Sequence, residues 1–295
     1  MNKPDVYLID ASIFVFRSYY ANGNEFQAKN GDSINAVYGF ARFLIQFIHQ
    51  TKAQYIACAF DESLETSYRN EIYPAYKANR QPAPADLKHQ FKLCQRVAQV
   101  LGVATFCDGY YEADDLIGTL AKHYSSLGHS NHIISADKDL AQLVGATDTW
   151  WNYGKDNALN SQMIFEKFGV YPNQIADLLA ITGDSVDNIP GIPGVGSKSA
   201  IFLLNHFKTL EQVLKRHKEI AYLSFRGAKS CQIKIAKHIE DANMAKKLTE
   251  IVTDIALDDF DIHRKILDET RVYKLFDYLN FGPILRKNIL DLRKT

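Results

Sequence analysis

The residues with the most chemical content are acids, and they come in short bursts. Asp10 closes DVYLID and Asp61 closes YIACAFD; Glu112, Asp114 and Asp115 stand together in GYYEADD, Asp137 and Asp139 in SADKD, and Asp184 and Asp187 in GDSVDN. Carboxylates brought together repel one another. Such a set converges only if cations neutralise it or some members take up protons. Oxygen donors of this kind suit hard divalent ions, Mg²⁺ or Mn²⁺, that keep part of their water shell. Two such ions about 3.5–4 Å apart can drive in-line attack on a phosphodiester. One holds water as hydroxide and the other offsets charge growing on the leaving 3′ oxygen, so no Ser–His–Asp or Cys–His nucleophile is needed. The nine histidines show no paired ligand spacing and read as surface or core residues. A single Asp after a strand is ordinarily a helix N-cap, and Asp10 or Asp137 could be that alone. Capping asks for one acid per helix, however, and does not explain EADD, DKD and DSVD at one edge.

For these acids to meet, the chain between them must fold in a particular way. DVYLID, YIACAF, Val103–Phe106, HIISA (132–136) and TDTWWNY read as strands, with helices predicted over about 11–20, 35–50, 84–101 and 113–127. The alternation predicts an α/β fold with a mostly parallel central sheet flanked by helices. Ligand sites in such sheets lie beyond the carboxyl ends of the strands, which is where the acids fall. From about residue 171 the pattern turns all-helical, so a boundary is expected near 170. A chain of 295 residues, 46% hydrophobic and 23% charged, can build one large domain or two ordinary ones. No apolar run reaches about 18 residues, and MNKPDVYLID lacks the layout of a signal peptide. Cys58, Cys94, Cys107 and Cys231 have neither CxxC nor zinc spacing and read as reduced thiols. The net charge of zero gives no global sign of a polyanionic partner.

Two stretches are locally cationic. In YRNEIYPAYKANR and the residues after it, Arg69, Lys77, Arg80, Lys88, Lys92 and Arg96 are opposed only by Glu71 and Asp86. Basic residues interleaved with tyrosines suit a nucleic-acid strand, with cations on phosphates and rings on bases. The alternative is an ordinary solvated helix face. A segment over 62–83 arching above the acidic edge would position one phosphate. The second stretch is GDSVDNIPGIPGVGSKSA, 183–200. Its glycines permit tight turns, and a helix opening at Ser197–Lys198 offers free N–H groups to an anion. That fits a helix–hairpin–helix on duplex phosphates, with Gly191, Gly194, Gly196, Ser197 and Lys198 facing the duplex; the alternative is a plain turn. A P-loop is not met, because Ser197 follows Gly196 where a Lys is required. Further on, Lys208, Lys215, Arg216, Lys218, Arg226, Lys229, Lys234, Lys237, Lys246 and Lys247 outnumber Glu211, Glu219, Glu240 and Asp241.

Taken in order, FRSYYA, AVYGFARFL, AFD, YPAYKANR, GYYEADDLIGTLA, SADKDLAQLV and GDSVDNIPGIPGVGSKSA resemble the 5′-nuclease family over almost the whole chain. That family includes the N-terminal 5′→3′ exonuclease part of bacterial DNA polymerase I and its free-standing relatives, the flap endonucleases. The resemblance implies a PIN-like nuclease domain over 1–170 with a helical arch at about 62–96. It implies a helical DNA-binding part over 171–295 with the helix–hairpin–helix at about 183–207. It assigns Asp10, Asp61, Glu112, Asp114 and Asp115 to a first metal cluster and Asp137, Asp139, Asp184 and Asp187 to a second. The implied cofactors are two Mg²⁺, for which Mn²⁺ can substitute, and a K⁺ on backbone oxygens of Ile189, Ile192 and Val195. Lys77 and Arg80 would touch the scissile phosphate and Tyr76 would stack on a base, with Arg17 and Arg69 also on DNA. Lys77, Arg80, Asp10, Asp115 and Asp137 are then the expected catalytic residues.

The expected activity is that of a structure-selective 5′→3′ exonuclease and flap endonuclease of replication and repair. It would cut DNA near single-strand/duplex junctions and leave a 5′ phosphate and a 3′ hydroxyl. The expected protein is a monomer in the bacterial cytoplasm, associated with the nucleoid, with no room in the chain for a polymerase. The competing expectations are a non-catalytic junction-binding protein and an RNA-directed nuclease of similar fold.

Overall fold

A computed structural model describes residues 3–21, 25–62 and 67–292. Residues 22–24 of the predicted loop, 63–66 of the predicted arch and the last three residues lie outside the described residues. Five strands form one parallel sheet: β1 (Val6–Asp10), β2 (Tyr55–Asp61), β3 (Ala104–Asp108), β4 (Asn131–Ile134) and β5 (Thr149–Trp151), in the order β3-β2-β1-β4-β5. The helices are α1 (Ala11–Tyr19), α2 (Asn35–Thr51), α3 (Arg69–Ile72), α4 (Ala85–Val100), α5 (Ala113–Ser126), α6 (Ser161–Phe168) and α7 (Ile175–Thr182). They continue with α8 (Ser197–Phe207), α9 (Leu210–Lys215), α10 (Ala228–Lys237), α11 (Ile239–Thr249), α12 (Glu269–Tyr278) and α13 (Pro283–Leu292).

The strands are apolar on both faces because both faces are covered. Val6, Leu8, Ala57 and Ala59 turn into a core with α5 and the C-terminal helices. Ile9, Ile56, Cys58 and Phe60 turn the other way, against α2, α4, α12 and α13. The chain runs outward from β1 through β2 to β3, then returns to lay β4 on the far side of β1. That reversal opens a crevice at the carboxyl ends of β1 and β4. Asp10 ends one of these strands and Asp137 follows the other, and Ser135 Oγ donates to Asp10 Oδ2 at 2.8 Å across the gap.

The last part of the chain departs from the sequence reading. It was expected to belong wholly to the helical half. Instead, after α11 the chain runs back along the sheet layer, and Ile56 N–H donates to Ile262 O at 2.9 Å and Arg264 N–H to Gln54 O at 2.7 Å. At Gly102 a Cβ would stand 2.1 Å from Lys265 O, so the two backbones touch there. Helices α12 and α13 then pack on α4 and α2. Their apolar stripes bury Val272, Leu275, Phe276 and Leu285.

Candidate active site

Four of the acids reach the edge on elements that also use them to hold backbone amides. Asp10 ends β1 and caps α1, its Oδ1 accepting the Ile13 amide at 3.4 Å. Asp61 ends β2, and its Oδ1 accepts the Ala113 N–H at 2.9 Å, the first free amide of α5. Asp137 caps a 3₁₀ turn over Lys138–Leu143 and accepts the Asp139 amide at 2.9 Å. Asp184 turns its own loop, accepting the Val186 amide at 2.7 Å. The capping and site readings are therefore not rivals: one oxygen fixes the chain while the second serves elsewhere, as Asp10 Oδ2 accepts from Ser135 Oγ and Asp184 Oδ2 from Lys138 Nζ.

Burial first, then the charges of Asp61 and Asp137, push Asp10 up to about 7. Burial and Asp137 push Asp139 up to about 8. Asp114 is raised well above the carboxylate range by burial and by Asp137, Asp10 and Asp61, and Asp137 is raised by burial and Asp187. Asp139 Oδ1 is buried without a partner. Crowded oxygen donors of like charge with an unmatched acceptor fit a hard divalent cation. Among the described residues, no three Asp, Glu, His or Cys side chains already stand close enough to grip one ion. Cations of the chain itself pair with several of the acids.

Lys77 Nζ donates to Glu112 Oε1 at 2.8 Å and lies 3.9 Å from Asp187 Oδ2. Arg80 pairs with Asp187, and Lys138 with Asp184 at 2.9 Å. Burial works against the Glu112 charge, but Lys77 and Arg69 outweigh it and hold this carboxyl below its ordinary value. Lys138 does the same for Asp184. Arg17 lies in a cleft of about 500 Å³ that Ile13, Phe16, Asp137, Asp139, Val186 and Asp187 also line. Its Nη2 donates to Asn152 Oδ1 at 3.3 Å.

Three assignments need correction. Arg69 is 3% exposed and spends its guanidinium inside the protein, on Asp115, Glu112 and the carbonyls of Leu248 and Glu250, so it cannot meet a phosphate. Asp115 is fully buried, with both oxygens taken by Arg69 at 2.7 and 2.8 Å and by the amides of Glu112 and Val252. With both oxygens occupied it is no ligand in this arrangement. Tyr76 is 4% exposed, its hydroxyl donating to Glu112 and Asp187, so its ring is not open to a base. In each case the polar group is already satisfied inside the protein: Arg69 and Asp115 by one another, and the Tyr76 hydroxyl by Glu112 and Asp187.

In the loop between α7 and α8, the side chains of Ile189, Ile192 and Val195 are buried. The Ile189 and Ile192 carbonyls each accept one amide already, from Asp184 and Val195. Gly194, Gly196, Ser197 and Lys198 are exposed at the start of α8. Gly191 is not, and its role is internal: a Cβ there would lie 2.3 Å from Gly183 N. The sequence reading missed Ser135, Lys138, Asn79, Asn188 and Gln142. Lys138 and Ser135 stand inside the quoted SADKD. Nothing local marks Gln142, which donates to Thr249 O at 3.0 Å and accepts the Ile251 amide at 3.1 Å.

Comparison with known proteins bears on this geometry. Residues 5–169 match the model of the 5′-3′ exonuclease N-terminal resolvase-like domain, and residues 170–269 match that of the 5′-3′ exonuclease C-terminal SAM fold. The chain is 34% identical over 284 residues to a 5′-3′ exonuclease of Aquifex aeolicus, covering 96% of this chain and 94% of that protein. It is 32% identical over 256 residues to a 5′-3′ exonuclease of Buchnera aphidicola from Schizaphis graminum, covering 86% and 88%. DNA polymerase I of Mycobacterium leprae is 33% identical over 297 residues, and there the match takes 98% of this chain but only 32% of the polymerase. Among solved structures, T5 5′-exonuclease with bound zinc aligns with a TM-score of 0.69 at 17% identity, covering 98% of both chains. The catalytic core of Rad2 in complex with DNA aligns at 0.64 and 15%, covering 98% of this chain and 92% of that one. At such identities the structural likeness speaks for the fold.

Proposed function

This chain belongs to the family of 5′-3′ exonucleases, and from that premise we propose that it is a structure-selective 5′ nuclease hydrolysing DNA phosphodiesters near single-strand/duplex junctions. The observation that carries the reading is the crevice beyond β1 and β4. There the like charges of Asp10, Asp61, Asp114, Asp137 and Asp139 act on one another, while Lys77 and Arg80 stand alongside on Glu112 and Asp187. Asp10, Asp61, Glu112 and Asp114 on one side, and Asp137, Asp139, Asp184 and Asp187 on the other, would hold two Mg²⁺, with Mn²⁺ able to substitute. When bound, such ions lower the pKa of water and offset charge on phosphodiester oxygens.

Lys77 and Arg80 supply what the acids cannot. A neutralised carboxylate holds a cation less strongly, which leaves both side chains free to grip a phosphodiester and fix it for in-line attack. Arg17, which lines the cleft beside Asp137, Asp139 and Asp187, serves the same anion. The exposed start of α8, with Gly194, Gly196, Ser197 and Lys198, meets duplex phosphates through free amides and charge. Exposed Lys208, Lys229 and Lys237 extend that surface. A K⁺ on the Ile189, Ile192 and Val195 carbonyls, a division of labour near residue 170, a monomeric state and work beside the nucleoid in the bacterial cytoplasm belong to the same proposal. Among the described residues no helix is long and apolar enough to cross a membrane.

The test is a 5′-flap DNA labelled at both ends and incubated with Mg²⁺, Mn²⁺ or EDTA. The expected result is short 5′ products with either metal and none with EDTA. Junction binding without cleavage in every condition would leave a binding protein, and faster cutting of an RNA flap would move the substrate class.

A further inference from the structure

The turn that carries Lys77 and Arg80 is fastened to the loop that carries Asp184 and Asp187 by more than charge. The Lys77 backbone N–H donates to Asp187 O at 2.9 Å. Asn79 Nδ2 donates to Ser185 O at 2.8 Å, and Asn188 Nδ2 returns to Ala75 O at 2.6 Å. Lys77 takes a left-handed backbone, with φ 55, which such a residue adopts only when its surroundings insist, and Asn188 takes the same φ, which asparagine tolerates. The receiving loop is itself stiff. Asp184 and Ile189 exchange both amide hydrogen bonds at 3.0 and 2.8 Å, and Gly183 is backed against Gly191.

We propose that Asn79 and Asn188 are positioning residues that register Lys77 and Arg80 over the acidic crevice. The proposal rests on the reading that these two cations serve the scissile phosphate. Its physical basis is a difference between two kinds of contact. The ion pairs of Lys77 with Glu112 and of Arg80 with Asp187 use the very carboxylates that divalent ions would neutralise, so charge cannot hold the turn in the working state. Amide-to-carbonyl bonds are indifferent to that neutralisation. The clasp therefore keeps the turn in place when its ion pairs are given up, and the two side chains move while their backbone does not. It also joins a segment from the first half of the chain to a loop from the second, so it sets the distance between them.

The experiment uses Asn79→Ala, Asn188→Gly and Lys77→Ala, alone and in pairs. Asn188→Gly tolerates the left-handed backbone while removing the side-chain amide. Single-turnover cleavage of prebound flap DNA is read beside the junction Kd, the thermal midpoint, and amide hydrogen exchange at residues 75–80 of the metal-free protein. The expected result is cleavage slowed by about tenfold or more in each Asn variant, as displacement of a catalytic group commonly gives, with Kd changed less than about threefold. The Lys77 amide should exchange faster, while neither Asn change slows cleavage further in the Lys77→Ala background. Full cleavage rates in both Asn variants, or an undiminished effect without the Lys77 side chain, would overturn the inference. Unslowed cleavage by Lys77→Ala itself would instead remove the reading on which the inference rests. Should Asn188→Gly fail to fold, Asn79→Ala carries the test alone.

Discussion

Arg69 and Asp115 show how little a residue type says until its partners are known. In sequence, Arg69 is one cation of a basic, tyrosine-rich stretch and Asp115 one acid of EADD. In the structure they form a two-pronged ion pair, and Arg69 also holds Glu112 and the Leu248 and Glu250 carbonyls. A buried pair is dangerous to halve, because the survivor keeps its desolvation cost without its partner. Arg69→Ala should therefore lose about 3–5 kcal/mol of stability, measured by urea unfolding. Arg69→Lys should recover only part of this, since an ammonium cannot make both prongs. The DNA-contact reading is separated from this one by salt dependence. Arg80→Ala should reduce the slope of log K for flap DNA against log salt by about one, whereas Arg69→Lys should leave that slope alone. A reduced slope in Arg69→Lys would restore Arg69 to the phosphate.

At the scale of elements, the loop from α7 to α8 contains glycines of two kinds. Gly191 packs against the backbone of Thr182 and Gly183, where a Cβ would fall within 2.3 Å of atoms that cannot swing aside. Gly196, which caps α8, has nothing within 4 Å of the same position and an ordinary φ of −88. Gly191→Ala should then destabilise the protein by about 1–3 kcal/mol, as overpacking does, with duplex binding lost only as the loop distorts. Gly196→Ala should leave stability within about 0.5 kcal/mol. If its duplex affinity falls all the same, close approach of a phosphate to that amide is the reason. Thermal midpoints and a duplex titration on both variants decide this, and equal stability losses would contradict the packing argument.

For the whole molecule, the converging acids make stability depend on pH and on metal. Asp10, Asp114, Asp137 and Asp139 have raised values in the fold, Asp10 to about 7 and Asp139 to about 8. Above the ordinary carboxylate range the unfolded chain has released these protons and the native state still binds them. Stability contributed by these groups is thus full at low pH and is lost as pH rises through about 7–8. Glu112 and Asp184, with lowered values, act in the opposite sense but only as pH falls through the ordinary carboxylate range. The metal-free protein should therefore melt at lower temperature at pH 9 than at pH 6, by about 2–4 °C for each kcal/mol involved. Mg²⁺ should raise the melting temperature more at pH 9 than at pH 6, and Asp10→Asn should flatten the metal-free profile. Scanning calorimetry in EDTA and in Mg²⁺ checks all three, and a metal-free melting temperature that climbs from pH 6 to pH 9 would contradict the sign.

Sequence alone determined the parallel sheet and its flanking helices. Strands flanked by turns and ended by Asp10, Asp61 and Asp137 can be recognised from neighbours a few residues away, because periodicity and capping are local. What tertiary structure decided is which charge each charge meets. Arg69 finds Asp115 across 46 residues, Gln142 finds Ile251 across 109, and Asn188 reaches Ala75 across 113. No local pattern encodes such encounters, since a side chain's partner depends on where the whole chain has carried both ends. The same is true of the return of residues 250–292 to the sheet layer, which rests on apolar side chains of this segment meeting both cores.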